Sequence, residues 1–351
     1  MTLHTSNTLQ KVVGPRPFII PLFLPNIGCP HRCAFCDQSA ITGTKQSIPS
    51  SYKFRKYVDK FLRYKGKCRD IVELSFYGGN FLGLKKHDIL ELLNNASLFV
   101  QEGKINSIRF STRPDTINQK KLDLLLDYPV STIELGVQSM NDRVLDASLR
   151  GHTSSDIKNA VNLLKKRKYK TGMQMMVGLP ADDESKCVET GLKIAELKPD
   201  FVRIYPTVVL KNSILAKWYK AGEYSPMSLE KCVHLVKRLY LIFTKNRIPV
   251  IRMGLQADDN LTNGSTILAG PYHPAFGHLV HSEIFFDKAA SLLRQKKLLH
   301  KTVLIRVHPQ NISKIRGLKN RNIKLLKKRF QIKSLNVIPD LTLADSEVMV
   351  E

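Results

Sequence analysis

Nowhere in the 351 residues does an apolar run approach the ~20 residues of a membrane-spanning helix. Residues 1–10 lack a basic stretch followed by an apolar one, so a secretory leader is not expected. Cysteine is scarce: six residues without paired, regular spacing exclude a disulfide framework in a chain this size. Cys68, Cys187 and Cys232 fall in separate segments and read as small core or surface residues. A reduced, cytoplasmic compartment is therefore expected. Acidic residues are also few, 30 against 55 Lys and Arg, which leaves a formal net charge of +25. Such a field attracts polyanions and points to a nucleic-acid partner, RNA in preference. The competing reading is a merely solvated basic surface. An apolar share of 43% is ample for a core, and the length suits one large α/β domain plus a smaller one.

The other three cysteines stand together. Asn26-Ile27-Gly28-Cys29-Pro30-His31-Arg32-Cys33-Ala34-Phe35-Cys36-Asp37 spaces them C-x3-C-x2-C, directly after the apolar run 18–24. A structural zinc site wants four ligands in a closed tetrahedron, and iron–sulfur clusters also usually take four thiolates. Three thiols in one loop suggest a cluster with one iron left open to a substrate or cofactor. A zinc knuckle and three coincidental buried thiols are the alternatives. The segment resembles the cluster loop of radical S-adenosylmethionine (SAM) enzymes, C-x3-C-x-aromatic-C, with Phe35 in the aromatic place.

Periodicity predicts strands at 18–24, 71–77, 107–111, 130–137, 171–177 and 201–205, alternating with helices at 50–64, 87–100, 118–126, 154–168 and 186–197. Alternation of this kind builds a parallel sheet from crossover units. About six units match the open barrel of this enzyme class: an α/β fold, a partial (β/α)6 radical SAM barrel with a small C-terminal α+β extension. Polar residues gather at the predicted strand ends, the edge where α/β barrels place chemistry. They include Gly78-Gly79-Asn80, Ser111 to Asp115, Gly136 to Ser139, Arg150 to His152, Gln174 and Gly178 to Pro180.

The blocks ELSFYGGN, STRPD, ELGVQSMNDRVL, RGHT and MMVGLP closely resemble the radical SAM domain of the Elongator catalytic subunit. They are more distantly similar to oxygen-independent coproporphyrinogen oxidases. The resemblance implies that Cys29, Cys33 and Cys36 hold a [4Fe–4S] cluster. It places Gly78, Gly79 and Asn80 at the amino group of SAM, and Gln138 at its ribose. Arg150 would pair with the SAM carboxylate, for which a guanidinium fork suits better than an ammonium. Ser111 stands where relatives often carry glutamate, and Gln174 is a second ribose candidate. Reductive cleavage of SAM to a 5′-deoxyadenosyl radical follows from the resemblance, with an electron donor such as flavodoxin or ferredoxin.

Beyond residue 205 the pattern changes. Helices are predicted at 215–219, 229–245, 281–295 and 322–329, with strands at 250–256, 302–307 and 332–337. The loop 270–277 reads as either a tight turn or a substrate loop. Its likeness to Elongator-type proteins favours the second, with Tyr272 and His273 as the substrate residues. The expected organisation is an arm (1–17), the barrel (18–206), a barrel-closing extension (207–280), a small basic α+β module (281–340) and a mobile tail (341–351). That module is faintly similar to a KH domain, but Gly317-Leu318-Lys319-Asn320 lacks the second glycine of a GXXG loop. The length after the barrel is too short for an acetyltransferase domain, so acetyl transfer is not carried over. The expected function is modification of an RNA nucleoside, tRNA first. The alternatives are a radical enzyme acting on a small metabolite and a non-catalytic RNA-binding protein with a structural cluster.

Overall fold

The computed structural model describes residues 17–30, 32–38, 47–66, 69–256, 266–296 and 301–351. Most of the expected arm, and Cys68, lie outside the described residues. Those up to Pro274 form one compact unit and those from Ala275 onward a second.

The first unit is built on a parallel sheet. Its strands are β1 (Phe18–Leu24), β2 (Val72–Gly78), β3 (Ser107–Thr112), β4 (Val130–Gln138), β5 (Lys170–Val177) and β6 (Phe201–Pro206). A two-residue β7 (Val209–Leu210) leaves the sheet, and β8 (Val250–Met253) returns to it beside β6. The order β1-β2-β3-β4-β5-β6-β8 follows the chain, so each crossover returns the chain one strand along. The periodicity reading thus holds for the six strands, and the seventh ends at Met253, three residues before its expected end. β7 pairs antiparallel with β9 (Ile267–Ala269).

Between the strands run α1 (Ser51–Leu62), α2 (Lys86–Gln101), α3 (Gln119–Asp123), α4 (Asp142–Ala147), α5 (Ser154–Lys166) and α6 (Glu184–Glu196). Then come α7 (Ile214–Lys220) and α8 (Leu229–Lys245). Their starts are fixed locally. Asn118, Asn141, Asp183, Ser213 and Ser228 each cap a helix by accepting from a backbone N–H three residues on. Thr153 and Asp156 form a reciprocal capping box at the start of α5.

Strand alternation sorts the side chains by face. Ile20, Leu22, Val72, Leu74, Phe76, Ile108, Phe110, Ile133, Leu135, Val202 and Ile204 are buried and form the core with the helices. An aromatic stack runs through it. Phe81 lies between Phe76 and Phe110 at ring-centroid distances of 4.9 and 4.5 Å, and Phe54 reaches Phe76 and Phe99. The opposite face of the strands carries Glu73, Ser75, Tyr77, Arg109, Ser111, Glu134, Gln174, Arg203 and Tyr205. Polar residues there are unusual for a sheet of this kind, where both faces normally read as apolar.

The second unit begins with α9 (Phe276–Lys296), which starts five residues before its expected position. It continues through β10 (Thr302–Val307), α10 (Ile312–Arg316), α11 (Arg321–Arg329), β11 (Ser334–Pro339) and β12 (Val348–Val350). The sheet order is β11-β10-β12, with β11 parallel and β12 antiparallel to β10. The end of the chain is thus corrected from a mobile tail to a strand: Val350 is buried opposite Ile305. Its three-residue apolar run was too short for a periodicity signal. Phe285, Ala289, Leu293, Val303, Ile305, Ile315 and Leu326 form this unit's own core. Among the described residues no helix is long and apolar enough to cross a membrane.

Phe110 is fully buried and stacked on Phe81. Phe110→Ala is expected to lower unfolding free energy by about 3–5 kcal/mol in urea titrations. Leu341→Ala, at an exposed position, should stay within about 0.5 kcal/mol.

Candidate active site

The cysteine loop leaves the C-terminal end of β1 and is clamped against the end of β2. Gly78 takes φ +101° to turn the chain. A Cβ on Gly79 would lie 2.2 Å from the Ile27 carbonyl oxygen, so only glycine permits this approach. Asn80 closes the clamp. Its backbone N–H donates to Ile27 O at 2.9 Å, and its side-chain amide donates to Gly28 O at 3.0 Å. Its Oδ1 accepts from Thr112 Oγ1, Arg113 N and Thr116 Oγ1 at 2.6–3.0 Å. On the far side Ala34 N donates to Ser148 O, and Leu215 N donates to Ala34 O. Phe35 packs into a small cluster with Val209, Leu215 and Trp218.

Two buried guanidiniums meet at Cys33. Arg150 Nη1 lies 3.2 Å from its sulfur and Nη2 donates to Gly136 O at 2.5 Å. Arg113 Nη1 stands 4.0 Å from the same sulfur, its Nη2 donates to the Arg150 carbonyl, and its Nε pairs with Asp115 at 3.0 Å. Next to them the His152 imidazole has a wholly buried side chain. Burial, followed by Arg150 and Arg113, pushes its pKa down to about 3 and keeps it neutral.

The loop opens onto a cavity of about 550 Å³ inside the sheet's polar face. That size lies within the ~300–1,000 Å³ of small-molecule and cofactor sites. Cys29, Cys33, Cys36, Gly78, Gly79, Ser111, Gln138, Arg150 and Gln174 all line it. Nine of the expected site residues therefore share one cavity. Asn80 does not line it: fully buried, it holds the two loops together instead. Tyr272 and His273 do not line it either, and Tyr272 packs beside Val208 and Leu210.

Gln138 sits at a strand-end irregularity with φ +66°, an uncommon backbone for a residue other than glycine. Gln174 Nε2 reaches its Oε1 at 3.3 Å. The register aligns Gly136, Gln174, Arg203 and Arg252 across β4, β5, β6 and β8, making a polar row along the cavity wall.

The thiols share the cavity without closing into a ligand triad. Among the described residues no three His, Cys, Asp or Glu side chains gather as a metal site, and the Cys36 thiol donates to Asn26 Oδ1 at 3.5 Å. Burial, then the neighbouring Cys33, pushes the Cys29 pKa up. The same causes, with Cys29 added, push Cys36 up to about 12. Thiols held protonated in this way, as Cys29 and Cys36 are, fit a cationic centre, whose binding would displace their protons.

The profile of the radical SAM superfamily matches residues 24–192, and that of the radical SAM C-terminal domain matches residues 199–285. The chain belongs to the radical SAM superfamily. It is 27% identical to the tRNA uridine(34) acetyltransferase of Methanocaldococcus jannaschii, over 62% of this chain and 47% of that protein. It is 32% identical to Elongator complex protein 3 of Saccharomyces cerevisiae, over 51% of this chain and 36% of that protein. The chain thus spans half or less of the length of these two relatives. The archaeal Elp3 of Methanocaldococcus infernus superposes with a TM-score of 0.59 at 22% identity, covering 76% of this chain and 62% of that one. That match shows the fold, the parallel curled half-barrel. Members of this superfamily rest their chemistry on an iron–sulfur cluster and SAM.

Sequence reasoning missed the ionic network beneath the cavity. Glu134 accepts from Arg109 Nη2 and Arg203 Nε, both at 2.6 Å, and Arg109 also holds Glu73 at 2.7 Å. Tyr77 accepts from Arg203 Nη2 at 3.0 Å. Burial opposes ionisation of Glu134, yet Arg203 and Arg109 outweigh it and hold the carboxyl below its ordinary range. The signal lay in the alternation: one charged residue stands at an inward position in each of the runs IRF, IEL and VRI.

Removing Glu134 would take the carboxylate from buried Arg203 and leave buried Arg109 with Glu73 alone. Glu134→Ala is expected to cost about 3–5 kcal/mol in urea unfolding, whereas Arg55→Ala at the exposed Glu102 pair should leave the urea midpoint nearly unchanged. His152 is neutral when folded and takes up a proton only on unfolding. Its stabilising contribution is therefore complete above about pH 6.5 and is lost as pH falls toward about 3. Between pH 7 and pH 4, His152→Gln should lose less stability than the unaltered protein.

Proposed function

We propose that Cys29, Cys33 and Cys36 hold a [4Fe–4S] cluster, that SAM binds beside it in the cavity, and that the enzyme modifies an RNA nucleoside, in tRNA. The observation that carries this reading is the convergence of three free thiols, two guanidiniums at Cys33 and a polar strand-end row on one cavity. When bound, a cluster with one open iron supplies the electron that cleaves SAM to methionine and a 5′-deoxyadenosyl radical.

The chain's own residues bind and orient. Arg150 and Arg113 would place positive charge against an anionic thiolate cluster, and Arg150 would turn from Gly136 O to pair with the SAM carboxylate. The backbone at Gly78 and Gly79, stripped of side chains, lets the amino group approach, with Ser111 on the adjacent strand. Gln138 and Gln174 would take the ribose hydroxyls. The apolar side chains of Pro21, Phe23 and Leu255 on the cavity wall limit the entry of water. A one-electron donor, a flavodoxin or ferredoxin, would reduce the cluster.

RNA as substrate is supported by the net charge of +25 and by relatives named as tRNA uridine(34) acetyltransferases. The test is anaerobic reconstitution with iron and sulfide, then dithionite and SAM, with 5′-deoxyadenosine quantified with and without bulk tRNA. Product that vanishes in Cys29→Ala, Cys33→Ala and Cys36→Ala and rises with tRNA is expected. A reconstituted cluster that yields no product under several reductants would contradict the reading.

A further inference from the structure

We infer that the second unit carries a docking surface for the phosphate backbone of RNA, formed by the α10–α11 turn and the outer face of α11. The inference rests on RNA as the substrate and names a site for it outside the cavity. Residues 301–339 hold eleven Lys and Arg and not one Asp or Glu. The acids of this unit's last fifty residues come only afterwards, and three face partners: Asp340 and Glu351 flank Arg306, and Asp345 faces His308.

The remaining charge is exposed at the α10–α11 turn and along α11. In α11, Asn322 and Leu326 are buried, and Ile323 packs against the unit's core. The helical repeat therefore turns Lys324 and Lys328 outward, one turn or about 6 Å apart. Arg329 is exposed beside them, and Arg316 and Lys319 are exposed on the preceding turn. Arg321 is paired with Glu283. Among the described residues, none of Arg316, Lys319, Lys324, Lys327, Lys328 and Arg329 has a carboxylate partner.

The turn itself is held in place. Lys319 and Asn320 both take left-handed backbone, at φ +50° and +60°, after Gly317 at +69°. Buried Asn322 anchors it by donating to Ser282 O at 2.9 Å and Lys314 O at 3.3 Å. The backbone carrying these cations is thus ordered before any partner arrives, which lowers the entropy cost of binding.

The composition of the face separates its partners. The only large exposed apolar side chains there are Leu318 and Leu325, far short of the broad apolar face of a membrane-surface helix. Large exposed aromatic side chains, which would stack on bases, are absent among the described residues of the face. The surface therefore recognises phosphates and not base sequence.

The test uses the full chain and fluorescence anisotropy with labelled tRNA across a salt series. The variant carries Lys319→Ala, Lys324→Ala, Lys328→Ala and Arg329→Ala, all exposed, with thermal unfolding checked alongside. Each lost phosphate contact should lower the log–log salt slope by ~0.7–0.9. The expected result is a slope reduced by about 3 and affinity about tenfold or more weaker, while Lys324→Arg with Lys328→Arg keeps wild-type binding. Formation of 5′-deoxyadenosine without tRNA should not change. Wild-type affinity and slope in the fourfold variant would overturn the inference. So would an unaltered protein that binds phosphatidylserine vesicles through these residues but not tRNA. Loss of tRNA binding in the variant of a protein that makes no 5′-deoxyadenosine would sustain the docking surface and refute the radical reading. Stimulation by tRNA with unaltered variant binding would do the reverse.

Discussion

Two loops approach each other more closely than any side chain would allow, and the site follows from that contact. A Cβ at Gly28, Gly79 or Gly83 would lie 2.3, 2.2 or 2.0 Å from a backbone oxygen across the gap. The cysteine loop after β1 and the glycine corner after β2 are thereby locked in one relation, and Asn80 satisfies the polar groups this crowding buries. Buried amides left without partners would cost several kcal/mol, so the clamp holds only because Asn80 answers on both sides. Thr112, Thr116 and Arg113 N tie the same amide to the end of β3. Three consecutive strand ends thus position the thiols.

The second feature is a division of polarity between the two faces of the sheet. The helical side holds the apolar core, and the inner side holds a cavity lined by charge and amide. Glu73 and Glu134 balance Arg109 and Arg203 beneath the cavity, so that part of the wall is close to neutral. At the cysteines the charges differ: Arg150 and Arg113 both face Cys33, and Arg113 is paired with Asp115. The two guanidiniums oppose, without outweighing, the burial that raises the Cys29 pKa, and their positive charge suits the anionic centre the thiolates would carry. The half-barrel provides the frame, and these charges provide the chemistry.

Much of this was legible in the chain. The spacing of Cys29, Cys33 and Cys36 and the repeated strand–helix pattern are local signals, and they led to the superfamily and to the half-barrel. Gly78, Ser111, Gln138, Arg150 and Gln174 were found through strand ends and motif likeness, and the fold gathers them on one cavity. Asn80 shows the limit: its neighbours in sequence line the cavity, yet whether an amide faces a ligand or braces a loop depends on partners more than 30 residues away. The Glu134 network was hidden for the same reason, since each member is a single charge in an apolar strand and only the register unites them. The last strand, Val348–Val350, was missed because three residues carry no usable periodicity and the pairing with β10 is entirely tertiary.

In the proposed site, three cysteines on a locked loop would leave one metal position open toward the cavity. Electron paramagnetic resonance of the reconstituted, reduced protein, recorded before and after adding S-adenosylmethionine, addresses it directly. A [4Fe–4S]+ signal whose g-values shift when S-adenosylmethionine is added is the expected result, because the ligand would coordinate the open iron. A cluster signal unchanged by S-adenosylmethionine, or no cluster with all three cysteines intact, would contradict it.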